Sequence, residues 1–371
     1  MIAIVAVTAL GWCRADMAAR KEKEEKPLVQ IALLLDTSNS MDGLISQAKT
    51  QLWQVVNEFA LAKRNGRRPD LRVALYEYGN DNLNKETGWI RCVVELSDDL
   101  DKISEQLFAL KTRGGQEYCG AVIQQAVSDL KWSNDKDALR MIFIAGNEPF
   151  TQGHVHYGTA CKAAVAKGIT VNTIFCGNEK QGINTRWKDG AALADGSFMN
   201  INQNSAVAHI STPQDKKIAE LGAELNKTYI PYGKQGKEYK MRQTVQDSNA
   251  LKSGKGASVN RAVSKSSALY RNGSWDLVDA VRNEVVKVEE IKEKDLPENM
   301  QKMSVEERKK YVKEQHGKRA AIQKKISTLN KERVEYIDRK MKEDNGKDET
   351  LGKALIKAVR KQAAEKDYAF E

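Results

Sequence analysis

Motifs that grip phosphate or present a nucleophile are missing from this chain. It has no Gly-x-x-x-x-Gly-Lys-Ser/Thr loop, no Gly-x-Ser-x-Gly elbow and no His-Glu-x-x-His helix. These absences remove the P-loop nucleotide hydrolases, the α/β-hydrolases and the zincin proteases. Histidine is scarce, so a serine hydrolase would have to draw its base from His154, His156, His209 or His316, and none has a flanking signature. No two of the five cysteines have Cys-x-x-Cys spacing, which leaves a zinc cluster without support. The apolar run Met1 to Trp12 is shorter than the roughly 20 residues of a membrane-spanning helix. A binding protein rather than an enzyme is the expectation, with a Mg²⁺-dependent hydrolase using Asp36 and Glu148 to activate water as the enzymatic alternative.

The run from Met1 to Trp12 is followed by small residues at Ala15, Ala18 and Ala19, then by a charged stretch from Arg20 to Lys26. That layout predicts a signal peptide over residues 1–19 and a periplasmic or secreted location. Cys92, Cys119, Cys161 and Cys176 remain after such cleavage. An even number permits disulfides in an oxidising compartment, and four free, buried thiols are the alternative. The net charge is +10, yet residues 215–371 hold 36 basic and 26 acidic residues, so the whole excess lies there. It would suit an acidic protein or an anionic membrane surface. Lys and Glu alternate through it, which equally describes a solvated helical face and argues against nucleic acid.

Between residues 28 and 232 the sequence alternates between strand and helix periods. Val29–Leu35, Arg72–Tyr78, Trp89–Val94, Met141–Ala145, Ile169–Phe175 and Ser197–Ile201 read as strands, and amphipathic stretches lie between them. The pattern predicts an α/β fold built on a doubly wound, mostly parallel sheet. Residues 233–265 are poor in large apolar side chains and rich in Gly, Ser, Gln and Lys, the composition of a linker. Residues 266–371 read as a basic, mainly helical C-terminal region. It opens with an apolar cluster around Trp275 that could dock on the first domain. The Ser304–Glu307 capping box then starts a long helix with Ile322, Ile326, Leu329 and Tyr336 on one face.

One short stretch carries the functional signal. The strand ending at Leu35 runs into Asp36-Thr37-Ser38-Asn39-Ser40, so a carboxylate and two hydroxyls stand at alternate positions outside a strand's carboxyl end. Ligands bind there in open α/β sheets, and small oxygen donors suit a hard cation. The same residue types also suit a helix N-cap, and both readings stand on sequence alone.

The Asp-x-Ser-x-Ser pattern resembles the metal-ion-dependent adhesion site of von Willebrand factor A domains. The resemblance implies a Rossmann-like A domain, an exported bacterial adhesion or scaffold protein, and a Mg²⁺ ion, or Mn²⁺ or Ca²⁺, held by Asp36, Ser38 and Ser40. A protein partner would offer an acidic residue to the metal. In that family a second-loop threonine and a third-loop aspartate complete the site. Here the threonine's place falls on Gln116, beside Glu117, and the aspartate's place on Gly146, beside Asn147 and Glu148. The expected ligand set is therefore Asp36, Ser38 and Ser40, completed by Gln116, Glu117, Asn147 or Glu148. His154 and His156 form a second, weaker metal-binding pattern.

Overall fold

The computed structural model describes residues 26–204, 209–344 and 351–370. The expected signal peptide lies outside them. The central sheet has six strands, β1 (Leu28–Asp36), β3 (Asp70–Tyr78), β4 (Ile90–Ser97), β5 (Leu139–Gly146), β6 (Thr170–Cys176) and β7 (Phe198–Ile201). The short β2 (Ala62–Arg64) stands outside it, and the sheet order is β4-β3-β1-β5-β6-β7. Only β4 runs antiparallel to its neighbour. This is the expected doubly wound, mostly parallel sheet, and a helical C-terminal region follows it.

Strand β1 is apolar at nearly every position because helices cover both faces of the sheet. Val29, Ile31 and Leu35 enter a core beneath α1 (Asp42–Leu61) and α2 (Leu100–Ala109), whereas Ala32 and Leu34 pack on the opposite side with α3 (Cys119–Asp129) and α4 (Tyr157–Ala166). Each large side chain fully buried there contributes about 1.5–3 kcal/mol. Two short helices, α5 (Glu179–Asn184) and α6 (Trp187–Ala192), lead to β7. Register pairs Asp36 with Tyr78 on one side and Leu35 with Ala145 on the other. Asp36, Tyr78 and Gly146 therefore meet at one edge, where the chain switches direction across the sheet.

The linker expected over residues 233–265 is instead two helices, α8 (Gly236–Lys252) and α9 (Lys255–Ser266), which follow α7 (Asp215–Asn226). Their shortage of large apolar residues has a packing reason. A methyl group added at Gly222 of α7 would stand 2.8 Å from Ala262 Cβ of α9, so small residues let these helices approach closely. Polar side chains supply the remaining contacts. Arg261 is buried, with its guanidinium 2.6 Å from Asp101 of α2 and 2.7 Å from Asp247 of α8, and it lies over the Trp53 ring of α1 at 4.4 Å. Burial raises the Asp247 carboxyl, but Lys265 and Arg261 outweigh burial and hold it down at about 2.

The C-terminal region folds back on the α/β body. Leu269, Tyr270 and Trp275 join the main core, while Leu277 and Val278 of α10 (Leu277–Arg282) belong to a satellite core with Ile230. After the short α11 (Glu298–Gln301), the capping box forms as expected: Ser304 N–H donates to Glu307 at 2.7 Å, and α12 (Val305–Asp344) begins. Ile326 is buried against the body, so the apolar stripe of α12 is an intramolecular seam. The last helix, α13 (Leu351–Ala364), packs on α1, and β8 (Tyr368–Phe370) pairs antiparallel with β2. The first amides of α13, orphans in an isolated helix, donate to Gln47 and Gln51 of α1 at 2.9 and 2.7 Å.

All four cysteines of residues 26–370 are free thiols. The helices after residue 233 are tied to the domain through Arg261, so Asp101→Ala is expected to cost about 3–5 kcal/mol by breaking a buried ion pair and leaving Arg261 only Asp247. Chemical denaturation of the full chain measures this, and a change under about 1 kcal/mol would mean that the pair holds nothing together.

Candidate metal centre

Asp36 ends β1 fully buried, with its side chain at the edge where the sheet changes winding direction. Its Oδ1 accepts the Ser38 amide at 2.8 Å, and its Oδ2 has no hydrogen-bond partner among the described residues. Burial holds the carboxyl well above the usual carboxylate range. The Ser38 amide opposes that rise, and the charges of Glu117 and Glu148 add to it. Ser38 Oγ and Ser40 Oγ stand 3.2 Å apart. Ser38 precedes a single 3-10 turn at Asn39–Met41 without a side-chain capping bond, which leaves the N-cap reading without its defining contact.

The other expected ligands divide. Asn147 reaches the first loop, its amide donating to Ser40 Oγ at 3.2 Å. Glu117 is buried, and burial followed by the nearby Glu148 pushes its carboxyl up to about 7. Glu148 is close enough to act on both other carboxyls, and its backbone oxygen accepts the Trp187 indole N–H at 2.8 Å. Gln116 is exposed, with no hydrogen bond to the first loop. Thr112, the only hydroxyl of the second loop, is engaged by Asp42. The two histidines do not form a pair: His156 caps α4, accepting the Gly158 amide at 3.1 Å, and His154 stands edge-on to Tyr118.

Three residues that sequence reading gave no role at the site, Gly79, Tyr78 and Asn80, shape the centre. Gly79 adopts φ +77°, and a Cβ there would lie 2.7 Å from Glu117 and 2.9 Å from Asp36, so only glycine lets the chain pass between the two carboxylates. At Gly146 a Cβ would lie 2.6 Å from the Tyr78 hydroxyl and 3.1 Å from Asp36 Oδ2. That hydroxyl donates to Ala145 O at 3.0 Å. Tyr78 therefore fills the space a third-loop aspartate would need. Asn80 ties the loops together by donating to Lys111 O at 2.8 Å and accepting the Asn82 amide at 3.0 Å.

A cation fits this donor set. Three carboxyls crowd together, and among the described residues no lysine or arginine pairs with Asp36, Glu117 or Glu148. No group of three or more His, Cys, Asp and Glu side chains is placed to hold a metal by itself among those residues. Hydroxyl and amide oxygens from Ser38, Ser40 and Asn147 would have to share the work. All are hard oxygen donors, which select Mg²⁺, Mn²⁺ or Ca²⁺ over softer ions.

Residues 30–188 match the von Willebrand factor type A domain. The α/β domain of this chain is also similar to solved structures. One is proximal thread matrix protein 1 from the mussel byssus with a zinc-occupied MIDAS motif (14% identity, TM-score 0.35, covering 47% of this chain and 41% of that one). Another is a conserved hypothetical protein BatB from Bacteroides thetaiotaomicron (15% identity, TM-score 0.36, covering 47% and 90%). A third is the SpRpn10 VWA domain (17% identity, TM-score 0.36, covering 47% and 88%). This chain spans under half the length of the mussel protein. No curated protein matches it.

Two outcomes follow from the geometry. Gly146→Asp, which would supply the third-loop aspartate expected from the resemblance, is expected to destabilise by about 1–3 kcal/mol through overpacking and to create no tighter ion site; a stable variant with stronger metal binding would contradict this. Glu117 titrates near 4.5 when exposed and near 7 here. Its contribution to metal-free stability is therefore complete below pH 4.5 and lost as pH rises through 7. In chelator, Glu117→Gln is expected to flatten the fall in melting temperature across that window, and identical pH profiles would count against it.

Proposed function

We propose that the A domain is a divalent-cation-assisted protein-binding module of an exported protein, and that it binds rather than turns over its partner. The observation that carries this reading is the fully buried, unpartnered Oδ2 of Asp36 beside two hydroxyls and two further carboxyls. A buried oxygen without a donor costs about 1–3 kcal/mol, and a bound cation offsets that cost. When bound, the ion supplies a Lewis-acidic position that an acidic side chain of a partner protein can fill. Asp36, Ser38, Ser40 and Asn147 would hold it, with Glu117 or Glu148 closing the shell.

Charge decides how strongly the ion reaches outward. With Asp36 as its one anionic ligand the cation stays electron-poor and draws an external carboxylate. A second carboxylate from Glu117 or Glu148 holds the ion more firmly and weakens that draw. A binding role is also supported by the neighbouring histidines, which are engaged in a cap and an aromatic contact rather than free as general bases.

Calorimetric titration of Mg²⁺, Mn²⁺ and Ca²⁺ after chelator treatment tests the reading. Asp36→Ala is expected to abolish binding, and Ser38→Ala and Ser40→Ala to weaken it. Glu117→Gln or Glu148→Gln is expected to loosen the ion while tightening capture of acetate. A wild type that takes up no divalent ion at millimolar concentration, or an Asp36→Ala variant that binds equally well, would refute the metal site.

A further inference from the structure

A second site stands at the other end of β5. Six residues before Gly146, about 20 Å along a strand, Arg140 opens into a cleft of about 510 Å³. The walls come from the loop between α3 and β5 and the turn between α4 and β6. They carry four cationic side chains, Lys131, Lys136, Arg140 and Lys167, together with Trp132, and no carboxylate. The volume lies within the usual range for small-molecule sites, about 300–1,000 Å³. This concentration of positive charge falls in the part of the chain whose charges otherwise balance, not in the basic C-terminal region.

The cations are held ready rather than neutralised. Arg140 donates one amino group to Ser133 O, while its Nε is buried with no partner among the described residues. Gly168 borders the other amino group so closely that a Cβ there would stand 2.9 Å from it. The ammonium groups of Lys131 and Lys136 have no hydrogen-bond or ion-pair partner among the described residues, and Lys167 donates to Val127 O at 2.7 Å. The acids of the same loop are occupied elsewhere: Asp137 pairs with Arg64 at 3.2 Å, and Asp135 accepts the Asp137 amide at 2.9 Å. Trp132 is fixed by its indole N–H on Ala126 O at 2.8 Å, and Lys366 of the C-terminal segment donates to Lys136 O at 2.7 Å, bracing the loop.

We propose that this cleft binds a small organic phosphate carrying at least two phosphoryl groups, with the phosphates on Lys131, Lys136 and Arg140 and the organic part against Trp132. A guanidinium beside unpaired ammoniums matches phosphate oxygens. Four cations without a carboxylate call for more than one negative charge, and an indole wall favours a ligand with a flat or apolar portion over a bare ion.

The test is calorimetric titration of the full chain with ADP, pyrophosphate and inorganic phosphate, in EDTA so that the divalent site is silent. Vesicles with and without phosphatidylglycerol form a separate arm. Saturable ADP binding tighter than pyrophosphate is expected, weakening about tenfold or more in a Lys131→Ala, Lys136→Ala double variant. Both lysines are exposed, so the variant should melt like the wild type. Arg140→Lys, which keeps the charge and loses the planar guanidinium, is expected to weaken binding as well. Equal ADP affinity in wild type and double variant, no saturable binding of any soluble phosphate, or binding confined to anionic vesicles would each overturn the proposal. ADP bound no more tightly than pyrophosphate would overturn the place given to Trp132.

Discussion

The structure is organised around a carboxylate placed where water cannot reach it. Asp36 sits at the carboxyl end of the central strand, between neighbours whose chains leave the sheet in opposite directions, and one of its oxygens is unpartnered. Such a group is expensive unless a positive charge meets it. Its surroundings do not supply one: Glu117 and Glu148 add negative charge, and the pressure appears as carboxyls that hold their protons far above the usual pH. Gly79 and Gly146 are bare because this crowding leaves no room for a side chain. Loops from three strands are thus shaped by one buried charge.

The C-terminal half answers a different physical problem. Helices α8 and α9 have few large apolar residues to bury, and they attach through close contacts between small side chains and through paired charges. Arg261 joins α2, α8 and α9, and a second buried arginine, Arg319 of α12, lies 2.6 Å from Asp276 and 2.9 Å from Asp279. Buried pairs of this kind add modest net stability but penalise any arrangement that separates them. They therefore set the register of the packed helices as much as they strengthen it.

These two modes of construction explain what could be read from the sequence. The sheet was legible because β1 carries the apolar run Ile31–Leu35 and β5 the run Met141–Ala145, and helices with regular apolar spacing separate the strands. The segment 233–265 was not, because its burial rests on alanine, glycine and long-range polar pairs such as Arg261 with Asp101, which leave no hydrophobic period. In the candidate centre, Asp36, Ser38 and Ser40 stand in one local motif, and loop position pointed to Asn147, whose amide reaches Ser40, and to Glu117, which is buried beside Asp36. Gln116 was placed by the same loop alignment, yet it faces solvent while its neighbour Glu117 turns inward. Tyr78 escaped notice because it reads as the last residue of a strand, and its effect on Gly146 exists only across the sheet.

Helix α1 touches both ends of this design. It starts two residues after Ser40, carries Gln47 and Gln51, which receive the first amides of α13, and runs directly into β2, the partner of the C-terminal strand. A force applied to the C-terminal strand would first load the three-residue β2–β8 ladder and the glutamine contacts, and the mechanical path from there to the Asp36–Ser40 loop is a single helix about 30 Å long. Loads at that end and at the Asp36–Ser40 loop would pull on opposite ends of one rod.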